Sequence, residues 1–111
     1  MKEITIREIK QDLKDIRYYY SRKKALDEAF RNIGYNEVVK KAEMYNELIK
    51  HADPKLFDLY ISLYINNHTQ ESLSEAMCYT RETVNLLNKR LLTYFQKKII
   101  EQKGGEENES L

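Results

Sequence analysis

Apolar residues open the chain at Ile6, Ile9, Leu13, Ile16 and Tyr20, in steps of 3, 4, 3 and 4 residues. Steps of that size keep one side of an α-helix apolar and form a heptad seam. Thr5 is placed to cap this helix, and Glu8 three residues on completes a capping box. Ile4 and Ile9 flank the cap as a hydrophobic staple. The seam breaks at Ser21-Arg22-Lys23-Lys24 and resumes in a new phase at Leu26, Ala29 or Phe30, and Ile33, with Gly34 as a stop. Two forms fit this pattern. Either one helix runs from Ile6 to Ile33, roughly 42 Å at 1.5 Å per residue, or it kinks or breaks near Ser21.

Asn36 is the N-cap expected for a second helix, with a seam at Val38, Ala42, Tyr45, Ile49 and Ala52. That seam pairs with the first either within the chain, as an antiparallel hairpin, or between two chains. Asp53-Pro54 is the sharpest boundary, since aspartate caps and proline fits the first helical position. A third helix carries Leu56, Phe57, Tyr60, Ile61 and Tyr64 and stops at Asn66-Asn67, where asparagine tolerates a left-handed backbone. Thr69 caps a short fourth helix, Gln70 to Met77, and Thr80 caps a fifth, Arg81 to about Ile100. Residues 101–111 are charged, contain two glycines and lack apolar periodicity, which predicts a disordered acidic tail.

The expected architecture is all-α. Residues 1–52 form an N-terminal helical hairpin or coiled-coil arm for dimerisation or partner contact, and residues 53–100 form a three-helix unit. Composition agrees: glycine (3) and proline (1) are scarce, which favours helices. No apolar run is long enough to span a membrane, and the first residues lack the apolar core of a secretory signal, so a cytoplasmic protein is expected.

The net charge of +1 conceals a pattern. Residues 1–50 carry +3, 51–80 carry −3, 81–100 carry +4 and 101–111 carry −3. Positive charge is thus concentrated on the fifth predicted helix, so a near-neutral total is compatible with a polyanion partner.

The stretch from Thr69 to Val84 combines a cap, two helical turns, a three-residue connection, a second cap and a longer helix. Leu73 and Met77 turn one apolar face inward, and Val84, Leu87, Leu91 and Phe95 do the same on the next helix. Tyr79 is placed to plug the corner. A short helix, a tight turn and a longer helix with a polar leading face describe a helix-turn-helix. The stretch resembles the helix-turn-helix of region 4 of the sigma-70 factors, where a pattern close to S-Q-E-E-I-A-E-E-L-G-I-S-R-S-T-V is common. Thr69, Gln70, Glu71, Leu73, Glu75, Met77, Tyr79, Thr80, Arg81, Thr83 and Val84 fall on like positions without a gap. The continuation to Phe95 resembles small phage transcriptional regulators of the ArpU/RinA type. The departures are Cys78 where the family has glycine, Ser74 where it has a small alanine, and Glu82 at the leading end.

The resemblance implies a DNA-binding transcriptional regulator of phage or mobile-element type, with the fifth helix in the major groove of double-stranded DNA. Arg81 is then placed to read guanine, Glu82 to accept from cytosine N4, and Asn85 and Asn88 to read adenine or touch phosphate. Lys89 and Arg90 lie beside the strands, and Thr69 and Gln70 offer the amides of a helix start to a phosphate, as Thr80 does at the next. Expected partners are DNA, RNA polymerase and a second copy joined through the N-terminal helices. The alternative from another class is a protein-interaction module that keeps the sigma-like fold but binds polymerase or another host protein.

Tyr18-Tyr19-Tyr20-Ser21-Arg22-Lys23-Lys24 mixes aromatic and basic residues and suits a partner surface, or stacking on bases. His51 suits a helix C-terminus. A nucleophile pair of Cys78 with His51 or His68 has nothing to orient it. No phosphate loop, paired-carboxylate motif or metal-ligand spacing is present, so neither an enzyme nor a cofactor is expected.

Overall fold

A computed structural model of the chain describes residues 3–33 and 37–109. Every element is helical, and no strand occurs among the described residues. Helix α1 (Ile6–Ser21) begins with the predicted capping box: the Glu8 amide donates to Thr5 Oγ1 and the Thr5 amide to the Glu8 carboxylate, both at 3.2 Å. It ends at Arg22, whose backbone (φ −127°, ψ 25°) leaves the helical region before α2 (Lys23–Ile33) starts. The break lets the Tyr19 hydroxyl donate to Asp27 Oδ1 at 2.6 Å. In an unbroken helix the two backbones would stand about 12 Å apart along the axis, at the limit of what the two side chains span. The broken form of the first helix is therefore the one adopted, and Tyr19 rather than Tyr20 is the more buried at its end. Gly34 as a stop and Asn36 as a cap lie outside the described residues.

Helix α3 (Glu37–Ile49) buries Ala42, Tyr45 and Ile49, as its seam predicts, and packs against α1 of the same chain. Helix α4 (Pro54–Tyr60) has the Asp53 carboxylate accepting from the Lys55 amide at 2.9 Å. Its last turn widens into a π-helical segment (Ile61–Ile65), closed by the Asn66 amide on the Ile61 carbonyl at 2.8 Å. Such wide turns shift the side chains that follow them. Leu59, Tyr60 and Leu63 face inward, while Phe57, one of the apolar positions expected on this helix, precedes the widening and is exposed. Asn67 then takes a left-handed backbone (φ 59°), as expected at that stop. Helices α5 (Gln70–Met77) and α6 (Arg81–Glu109) complete the chain.

The core does not divide at Asp53. Ile9, Leu13 and Ile16 of α1 belong to one apolar cluster with Tyr45 and Ile49 of α3, Leu59, Tyr60 and Leu63, Leu73 of α5, and Val84, Leu91, Phe95 and Ile99 of α6. The seams of α1 and α3 thus face the same core as the later helices. At its centre the Phe95 ring meets Tyr45 edge-on at 4.8 Å and Tyr60 at 5.6 Å. Buried tyrosines need partners for their hydroxyls: Tyr45 donates to Asp12 at 2.7 Å and Tyr60 to Asn46 at 2.6 Å. Asn46 in turn donates to the Tyr20 hydroxyl at 2.9 Å, and Tyr94 donates to the Leu48 carbonyl at 2.7 Å.

Three further bonds set α1 along the molecule. Gln96 on α6 donates to the Ile4 carbonyl at 3.0 Å. At the other end, the Arg17 guanidinium donates to Asn67 Oδ1 at 3.3 Å and to the Asn67 carbonyl at 3.4 Å. Helix α6 extends nine residues beyond Ile100, where the apolar pattern predicts its end. The backbone expected to be a disordered tail is helical to Glu109; Gly104 and Gly105 weaken a helix by about 1 kcal/mol each but break no hydrogen bond.

Candidate nucleic-acid interface

The corner between α5 and α6 is built from local signals. Thr69 caps α5 through a reciprocal pair with Ser72: the Ser72 amide donates to Thr69 Oγ1 at 2.9 Å and the Thr69 amide to Ser72 Oγ at 3.1 Å. Serine here does the work that glutamate does in the commoner box. At the other end of α5, Cys78 adopts a left-handed backbone (φ 57°, ψ 29°). The Tyr79 amide returns to the Ser74 carbonyl at 3.0 Å and the Cys78 amide to Glu75 at 3.4 Å. This is the Schellman arrangement, which normally recruits glycine. Cysteine therefore occupies the glycine position without reshaping the turn. The Ser74 hydroxyl donates across the corner to the Tyr79 carbonyl rather than back along its own helix, and Tyr79 packs against the core.

Thr80 then caps α6: its Oγ1 accepts from the Thr83 amide at 3.1 Å, and its carbonyl from the Val84 amide at 3.1 Å. Val84, Leu87 and Leu91 hold the helix from behind. Thr80, Arg81, Glu82, Asn85 and Lys89 are exposed on the leading turns. Among the described residues neither Arg81, Lys89 nor Arg90 enters an ion pair. Their charge is therefore not cancelled within the molecule.

Not every predicted contact lies on this front. Asn88 is half-buried and its Oδ1 accepts from the Tyr64 hydroxyl at 2.7 Å. Bidentate reading of adenine needs both amide atoms, so Asn88 braces α6 on the π-helical segment instead. Arg90 is exposed but lies on the other flank, beside Asp53, Lys55 and Leu56 at the start of α4. Thr69 is exposed at the start of α5. Gln70 opens that helix, and its side chain lies outside the described residues.

Leu86 was missed by sequence reasoning. It is 54% exposed, in the middle of the outward face between Glu82 and Lys89. Its position was available in the pattern: residue 86 falls opposite the stripe of Val84, Leu87 and Leu91 once a period of 3.6 is imposed. The aromatic and basic segment at the end of α1 divides in the same way. Tyr18 is exposed under the Arg22 guanidinium at 5.4 Å, whereas the Tyr19 hydroxyl is bound to Asp27, as is Lys23 at 2.6 Å.

No cluster of side chains among the described residues forms a metal site, and none of their helices is long and apolar enough to cross a membrane. No family model, curated protein or solved structure matches the chain.

Proposed function

We propose that this protein is a sequence-specific DNA-binding transcriptional regulator, of the phage or mobile-element kind, that lays the first turns of α6 in the major groove. The observation that carries the reading is the corner. A left-handed residue at Cys78 and a cap at Thr80 leave Arg81, Glu82, Asn85 and Lys89 facing outward on a helix whose opposite side is locked into the core. Arg81 reads guanine O6 and N7, Glu82 accepts from cytosine N4, and Leu86 meets a thymine methyl. Lys89 neutralises a phosphate. The free amides at the start of α5, beside Thr69, take another. The N-terminal helices carry the contacts to a second copy or to RNA polymerase.

The test is binding of the full chain to random and to selected duplexes across a salt titration. A DNA reader loses affinity steeply as salt rises, and Arg81→Ala with Lys89→Ala abolishes its binding. A two-fold symmetric selected site indicates a dimer.

The exposed Leu86 beside Glu82 favours a second reading, a protein-interaction module that binds polymerase or another host protein through the same front. Absence of duplex binding at every salt concentration selects that reading over the first.

A further inference from the structure

Helix α1 carries a row of cations that no ion pair among the described residues engages. Arg7, Lys10, Lys14 and Arg17 stand at i, i+3, i+7 and i+10, within about 80° of one side of the helix at 3.6 residues per turn. Arg7, Lys10 and Lys14 are exposed, and none of the four enters an ion pair among the described residues. The acids of the same helix do not answer them. Asp12 and Asp15 lie on another side and are taken by Lys41 of α3, at 3.1 and 3.9 Å. Arg17 does have partners, the side chain and carbonyl of Asn67, but both are neutral and leave its charge intact. Like charges at these spacings destabilise a helix, so the row works against the free protein's stability.

Its location gives it a use. Arg17 ties the end of the row to Asn67, two residues before Thr69, where α5 starts. Resting on the DNA-binding reading above, we infer that α1 is a second backbone-binding element. Its cations continue the phosphate contacts of the α5 start along the flanking strand, outside the bases read by α6. A row of cations that faces phosphates adds affinity without sequence preference.

The experiment uses the full chain carrying Lys10→Gln with Lys14→Gln, two exposed positions whose change leaves the core untouched; circular dichroism confirms equal helix content. Binding to a selected site and to an unrelated duplex is followed by fluorescence anisotropy between about 50 and 200 mM salt, the range over which phosphate contacts dominate. Each lost phosphate contact lowers the slope of log affinity against log salt by roughly 0.9, about 2 for the pair. Affinity falls by the same factor for both duplexes, so their ratio is unchanged. An unchanged slope, with Arg81→Ala still abolishing binding, overturns the role of α1 and leaves the reading of α6 standing. Failure of the unaltered chain to bind any duplex overturns both. Binding of the unaltered chain to phosphatidylserine vesicles and not to duplex assigns the row to a membrane surface and also overturns the inference.

Discussion

Replacing Cys78 is the most direct test of the corner on which the α6 front depends. The residue sits at φ 57°, ψ 29°, a conformation that costs an ordinary L-residue roughly 1–2 kcal/mol relative to glycine. Its side chain is exposed, so substitution removes no packing, and the two amide bonds that close the turn are backbone bonds retained in every variant. Cys78→Gly therefore relieves about 1 kcal/mol or more of backbone strain. Against this stands the wider freedom of glycine in the unfolded chain, about 0.4–1 kcal/mol. The net expectation is a gain of about 0.5–1 kcal/mol, which for a chain of this length raises Tm by roughly 2–4 °C. Cys78→Val moves the other way, since a β-branched residue at positive φ is a steric outlier, and should lower Tm by at least as much. Thermal unfolding of the three proteins under reducing conditions, which exclude thiol-linked dimers, gives the order glycine, cysteine, valine. A valine variant as stable as the parent, with a glycine variant less stable than either, would mean that the chain does not turn left-handed at residue 78.

Other outcomes follow from the core. Phe95→Ala removes the ring on which Tyr45 and Tyr60 both rest, and should cost about 3–5 kcal/mol in urea unfolding; a loss below about 1 kcal/mol would place Phe95 outside the core. Burial pushes the Tyr45 and Tyr60 hydroxyls above the usual tyrosine range, and the bond to Asp12 raises Tyr45 further. A folded-state pKa above the unfolded one adds stability that is complete below the unfolded value and is lost as pH climbs beyond it. Urea midpoints should thus hold up to about pH 9.5 and fall above about pH 10. Tyr45→Phe should blunt the fall, and a fall unchanged in that variant refutes the assignment.

The parts of this fold readable in the sequence are those set within four or five residues. Thr5 with Glu8, Asp53 with Pro54, Thr69 and Thr80 each mark a helix start by bonding a nearby amide, and each does so here. Asn67 is left-handed for a reason its own side chain supplies. What the pattern could not reveal depends on distant partners. The break at Arg22 accompanies a bond between Tyr19 and Asp27, and Asn88 is turned inward by Tyr64, 24 residues away. The apolar seam of α1 marked which side is buried but not against what, so an arm and a shared core look alike until α6 is seen beneath it. On the candidate front, Arg81, Glu82, Asn85 and Lys89 were legible because a cap and a 3.6 period determine what faces out. Leu86 lies off the stripe of Val84, Leu87 and Leu91, but nothing local says what an apolar residue on the outward face meets.

Because α1, α3 and α6 share one core, no hinge separates these three helices. Under the proposed function, two copies joined through the core-packed N-terminal helices would hold their α6 fronts like the jaws of a fixed caliper, at a gauge set by solid protein rather than by a tether. Operators whose half-sites are moved apart by a few base pairs would fall outside that gauge, whereas a protein with jointed arms would reach them.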